Sequence, residues 1–151
     1  MKHSRYLAVS VLVAFLLDPS PFAFAGPSEV SQISTVLRAQ AEAWNRGDID
    51  GYMNGYARDP GTEFVGGDTL TRGWQTVRDR YKKKYDTREK MGVLKFSELR
   101  ITPLAGDAAL VTGRWKLTRK IDKPHGRFTL LFRKRPEGWR IVHDHSSAAE
   151  K

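Results

Sequence analysis

The chain has 151 residues, a formal net charge of +9 and no cysteine. This length allows a single modest hydrophobic core, and the lack of cysteine excludes stabilisation by disulfide bonds. The positive charge favours solubility and attraction to anionic partners, but it does not define a fold.

Residues 1–25 have the three-part pattern of a secretory signal peptide. A positively charged start precedes an apolar run over residues 6–17, and small residues occupy the positions that signal peptidase reads. The apolar run is shorter than the about 20 residues needed to span a membrane. We therefore expect cleavage before Gly26, a secreted or periplasmic protein without a transmembrane span, and one domain at residues 26–151.

Three helices are predicted in the first part of this domain. Ser28 is a favourable N-cap for the first helix, which Gly47 ends, and Asp48 can cap a shorter second helix. Thr71 is expected to cap the third helix. Apolar residues recur at spacings of three and four along each helix: Val30, Ile33, Leu37, Ala41 and Trp44, then Ile49, Tyr52, Met53 and Tyr56, then Trp74, Val77, Tyr81 and Tyr85.

Strands are predicted in the rest of the chain. A short hairpin is expected from residues 63–65 and 68–70, after which the third helix intervenes. The alternation of the following strand changes phase midway, which predicts a β-bulge near Ser97 and Glu98. Further turns precede a last strand over residues 139–147. Helices followed by an antiparallel meander indicate an α+β domain, with N-terminal helices packed on a strongly curved antiparallel sheet.

Several local strings at the ends of these elements are informative together. They are Trp44 with Gly47 and Asp48 between two helices, Tyr56 to Asp59 after the second helix, Gly73 before the third, and the closing strand from Trp139 to Ser146. Their order resembles the nuclear transport factor 2-like superfamily, which includes SnoaL-like cyclases, ketosteroid isomerases and the association domain of calmodulin-dependent kinases. The resemblance covers residues 28–149. It implies a cone-shaped domain with a cavity closed by helices, and a homodimer formed across the sheet.

The resemblance to ketosteroid isomerases does not extend to their catalytic groups. The position of their tyrosine on the first helix is Gln40 here, and the position of their general-base aspartate is Phe64. Their late-strand acid aligns near Thr129 or Leu130. Isomerase chemistry needs a base and an oxyanion hole, so it is not expected, and the sequence favours a non-enzymatic role without a cofactor.

His143, Asp144 and His145 are the candidates for catalysis. Strand alternation places the two histidines on one face and Asp144 on the other. Two histidines alone lack the further ligands of a metal site, so no metal site is predicted. The alternative is that the histidines pack with Trp139 and Ile141 at the sheet or dimer surface.

Nine aromatic residues are candidates for a ligand pocket. Their spacing is typical of core positions, and part of the set would line a cavity if the cone is open. Tyr52, Tyr56, Arg114 and Lys116 are expected to be its polar anchors. The nine are Trp44, Tyr52, Tyr56, Phe64, Trp74, Tyr81, Phe96, Trp115 and Phe128.

Three functions follow from these patterns. The leading hypothesis is an exported domain that binds a small apolar or anionic organic molecule. The alternatives are a cyclase- or hydratase-type enzyme that uses the His-Asp-His cluster, and an envelope protein–protein module that uses a basic surface. No aromatic base-stacking platform accompanies the positive charge, which argues against sequence-specific nucleic-acid binding. The basic surface would comprise Arg78, Arg80, Lys82, Lys83, Lys84, Arg119, Lys120, Lys123, Arg127, Arg133, Lys134 and Arg135.

Overall fold

The computed structural model describes residues 27–149, and the predicted signal peptide lies outside them. None of the helices in the described part is long and apolar enough to cross a membrane. The elements are α1 (Glu29–Asn45), α2 (Ile49–Met53), β1 (Glu63–Gly66), β2 (Thr69–Arg72), α3 (Trp74–Lys84), α4 (Arg88–Met91), β3 (Val93–Ala105), β4 (Ala108–Thr118), β5 (His125–Arg135) and β6 (Gly138–Ser146).

The strands form one sheet in the order β2-β1-β6-β5-β4-β3. β3 to β6 make an antiparallel meander, and the short β1–β2 hairpin adds to it through a parallel pairing of β1 with β6. Helices α1 and α2 precede the sheet in sequence; α1 packs on β3 and β6, and α2 packs against α1 and α3. The α+β architecture expected from the sequence is therefore confirmed.

Two irregularities bend the long strands. The β3–β4 register shifts between Ser97 and Arg100, and Glu98 has a φ of 52°, which confirms the predicted bulge. The β5–β6 register also shifts, because His143 pairs with Leu131 whereas Ile141 pairs with the next residue of β5. Bulges increase local twist and bend a strand, so both help the sheet to curl around the helices.

The helix caps agree with the sequence in two cases out of three. Ser28 accepts a hydrogen bond from the backbone of α1 at 3.2 Å, and Asp48 accepts one from the backbone of α2 at 2.7 Å. The expectation for Thr71 is wrong, since α3 begins after Gly73, whose φ is 92°. Thr71 lies on β2 and pairs with Phe64, because the hairpin extends further along the chain than the sequence pattern indicates.

The hydrophobic core fills one end of the cone. Side chains of α1, β4, β5 and β6 form this part of the core, and they are almost completely buried. They include Ile33, Leu37, Ala109, Val111, Phe132 and Trp139.

Candidate functional site

A partly open cavity of about 200 Å³ occupies the other end of the cone. It lies between α1, α2 and α3 on one side and the concave face of the sheet on the other. Eight of the nine aromatic residues singled out from the sequence line it: Trp44, Tyr52, Tyr56, Phe64, Tyr81, Phe96, Trp115 and Phe128.

Trp74 is the ninth aromatic residue and lies outside this lining. Its indole nitrogen donates to the Met53 carbonyl at 3.0 Å, and its ring lies 4.9 Å from the Arg58 guanidinium. It stands at the first position of α3, where its ring packs toward α2 rather than toward the sheet.

The helical wall of the cavity is a cluster of interlocked rings. Trp44 makes edge contacts with Tyr52 and Tyr85, with ring centroids 5.1 and 4.7 Å apart. Tyr81 contacts Tyr52 at 5.3 Å and Phe64 at 5.6 Å. Three of these four pairs are edge-to-face and the Tyr52–Tyr81 pair is tilted. Edge-to-face pairs are favourable beyond the area they bury, so this wall is held in a defined shape.

One buried carboxylate, that of Asp144, faces this cavity. One of its oxygens accepts a hydrogen bond from the Tyr56 hydroxyl and the other accepts one from the Ser146 hydroxyl, both at 2.7 Å. Burial raises the pKa of Asp144 to about 6, although the two hydrogen bonds act in the opposite direction. Burial and the nearby charge of Asp144 raise the pKa of Tyr56, so its hydroxyl is protonated at neutral pH.

The two histidines flanking this carboxylate are on the outer side of the sheet. His143 Nδ1 lies 3.1 Å from a Glu63 carboxylate oxygen, and His145 is exposed. His143 and His145 therefore lie on the face opposite Asp144, as strand alternation predicts. Ile141 is also buried, although it is three residues from Asp144, because the β6 bulge changes the phase of the strand between them.

The positions compared with ketosteroid isomerases also face the cavity. Gln40, Phe64 and Leu130 line it, whereas Thr129 is exposed. Gln40 donates to the Tyr52 carbonyl at 3.0 Å. Leu130 pairs with Asp144 across the β5–β6 ladder. Asp144 therefore supplies an acidic group next to the position of the late-strand acid of ketosteroid isomerases, but it does so from β6 and not from β5.

The cationic anchors expected on β4 are not in the cavity. Arg114 lies 3.5 Å from the Glu98 carboxylate and Lys116 is exposed, because residues on either side of Trp115 point to the opposite face of the strand. The cations that do line the cavity are Arg80 and Lys84, one turn apart on α3. Within residues 27–149, no group of three His, Asp or Glu side chains could hold a metal ion.

A family model for the SnoaL-like domain matches residues 33–150. The chain belongs to this family, and the resemblance to nuclear transport factor 2-like proteins is confirmed. The search of curated proteins gives no match.

Solved structures share the fold over most of the chain. A nuclear transport factor 2-like protein of unknown function from Shewanella oneidensis MR-1 is 41% identical, with a TM-score of 0.77 over 80% of this chain and 99% of that one. A putative calcium/calmodulin-dependent protein kinase II association domain from Xanthomonas campestris is 17% identical, with a TM-score of 0.66 over 83% and 91% of the two chains. A ketosteroid isomerase-like protein from Erwinia carotovora atroseptica is 20% identical, with a TM-score of 0.64 over 82% and 98%. The last two show the fold alone.

Proposed function

We propose that the domain binds a small organic molecule in the aromatic cavity, with a hydroxyl or amino group of the ligand donating to Asp144. The observation that carries this proposal is a cavity of about 200 Å³ with aromatic walls and a single buried carboxylate. An apolar cavity of about 150 Å³ accepts benzene, so this one has room for a substituted ring. Apolar walls with a few convergent polar groups are typical of ligand sites.

Blocking the cavity tests this proposal. Leu94 lines the cavity on β3, and Leu94→Trp would fill much of the space. We expect this variant to fold and to lose binding of ring compounds in calorimetric titrations. Ile121→Trp is the matched control, since Ile121 is 90% exposed and outside the cavity. Equal binding by both variants would contradict the proposal.

Acid–base catalysis at Asp144 is a second candidate function. Its support is a cavity-facing carboxylate whose pKa is raised to about 6 by burial, since a general base works best when its pKa is close to the operating pH. Proton abstraction next to a carbonyl can be followed as solvent deuterium uptake into a ring ketone such as tetralone. Uptake that disappears in Asp144→Asn would support catalysis, whereas no uptake above the buffer rate would leave binding as the function.

Export is part of the proposal. The charged, apolar and small-residue segments of residues 1–25 support it. The N-terminus of the protein recovered from the envelope or medium should be Gly26. A chain that keeps Met1 after expression in its host would contradict export.

Self-association as a homodimer is also proposed. The edge strand β3 exposes the apolar side chains of Val93, Leu99 and Leu104, which supports an interface at this part of the sheet. Light scattering should give the mass of a dimer, and Leu104→Glu should shift it toward the monomer. A monomer mass at every concentration would contradict this.

A further inference from the structure

The rim of the cavity carries two cations without an acidic partner among residues 27–149. Arg80 is half-buried and Lys84 is exposed, and both line the cavity from α3. The ion pairs of the described residues do not include either side chain. Two neighbouring cations of α3 differ in this respect, since Arg78 and Lys82 both bind the Asp50 carboxylate.

The Arg80 guanidinium is held in place by uncharged groups. It donates to the Thr71 hydroxyl at 2.7 Å and lies 4.8 Å from the centre of the Phe64 ring. The Arg80 side chain also reaches Gly66 of β1: its Nη2 atom lies 3.4 Å from the position that a Cβ atom on Gly66 would occupy. These contacts fix its orientation and leave its positive charge uncompensated. A fixed guanidinium is suited to paired hydrogen bonds with a carboxylate.

Lys84 adds a second positive charge at the same rim. Its ammonium lies 5.3 Å from the centre of the Tyr85 ring. Partial burial of its ammonium group, followed by repulsion from Arg80 and Arg119, lowers the pKa of Lys84, although the residue as a whole is exposed. Arg119 is itself paired with Asp122. An anion bound at the rim would relieve the repulsion between Lys84 and Arg80.

We infer that the ligand is an aryl carboxylate whose carboxylate binds between Arg80 and Lys84 while its ring enters the aromatic cavity. This inference rests on the proposed binding function and specifies the class of ligand. The Asp144 carboxylate, which is held by Tyr56 and Ser146, would repel an anion at the cavity floor. The charged end of the ligand therefore stays at the rim, and a hydroxyl at its opposite end can donate to Asp144.

Matched pairs of acids and their neutral esters test the inference. Calorimetric titrations would compare para-hydroxybenzoate with its methyl ester, and a two-ring hydroxynaphthoate with its methyl ester. Each acid should bind at least about tenfold more tightly than its ester, because charge-assisted hydrogen bonds are stronger than neutral ones. The preference should decrease at high salt, since ions screen charges at an exposed rim.

Substitutions on α3 test whether Arg80 and Lys84 cause the preference for the acid over the ester. Arg80→Gln and Lys84→Gln should each weaken binding of the acid by about tenfold and weaken binding of the ester much less, because only the acid brings a full negative charge to the rim. Arg78→Gln and Lys82→Gln remove the same charge from the same helix outside the cavity, and they should preserve the preference for the acid.

The outcomes separate the inference from the proposed function. Binding of the esters without a preference for the acids would overturn the inference and leave the binding function intact. The inference would also be overturned by a preference that survives in Arg80→Gln and Lys84→Gln. Failure of every acid and ester to bind would overturn both.

Discussion

Replacing Asp144 with asparagine should remove a pH dependence of stability that the buried carboxylate causes. Burial raises the pKa of Asp144 from 3.8 to about 6 in the folded protein. At 1.36 kcal/mol per pKa unit, this corresponds to about 3 kcal/mol between the protonated and ionised extremes. The folded state binds the proton more tightly, so this stability is fully present below the unfolded pKa and is lost as the pH rises through about 6.

Urea unfolding of both proteins, followed by tryptophan fluorescence, measures this effect. Between about pH 4.5 and about pH 7.5, the wild type should lose roughly 2 kcal/mol of unfolding free energy relative to Asp144→Asn. The remainder is lost below this range, as the carboxyl ionises in the unfolded chain. Taking the difference between the two proteins cancels the contributions of other titrating groups.

Asp50→Asn is the control for this experiment. Asp50 is exposed, and hydrogen bonds from Arg78 and Lys82 lower its pKa to about 2. Its contribution therefore has the opposite sign and is lost as the pH falls below the unfolded value, so it should be constant between about pH 4.5 and about pH 7.5. A constant difference between the wild type and Asp144→Asn over the same range would refute the reasoning about the buried carboxylate.

Three further substitutions probe the site and its scaffold. Ser146→Ala removes a hydrogen bond that lowers the pKa of Asp144, so carboxyl-carbon NMR should give a pKa above that of the wild type; an unchanged value would contradict the role of this bond. Gly92→Ala should destabilise the fold by more than about 1 kcal/mol in urea unfolding, because the φ of Gly92 is +61° and the new Cβ would lie 2.5 Å from a β4 carbonyl oxygen. Gly106→Ala is the control and should change stability little, because its Cβ would meet no atom within 4 Å. Leu37→Ala in the closed core should cost about 2–5 kcal/mol by the same assay, and a smaller loss would mean that the core relaxes around the missing side chain.

Local signals in the sequence were sufficient for the architecture. Ser28 and Asp48 begin helices because their short side chains accept backbone hydrogen bonds at a helix start. The β3 bulge can be predicted from the sequence because Phe96 and Leu99 cannot lie on the same face of a strand with strict alternation. Each of these features depends on residues close together in the chain, so no tertiary information is needed to find them.

The inward position of Asp144 was decided by tertiary structure. The β6 bulge arises from the way β5 and β6 pair, and the sequence from Trp139 to His145 reads equally well as a regular strand. Because one residue of β6 has no partner on β5, the alternation of side chains along β6 is reversed after it. The Asp144 carboxylate therefore points into the cavity, and the two histidines point away from it.

The placement of the cations depended on the fold in the same manner. Arg80 and Arg114 are both next to aromatic residues in the sequence, yet only Arg80 reaches the cavity. The curvature of the sheet and the docking of α3 determine which side of each element faces inward. The sequence by itself determined the order of the elements, all of them except the one-turn helix α4, and an aromatic interior, because these follow from spacing and caps. Only the tertiary structure decided which charged groups meet inside it, because that depends on strand register and helix docking between residues far apart in the chain.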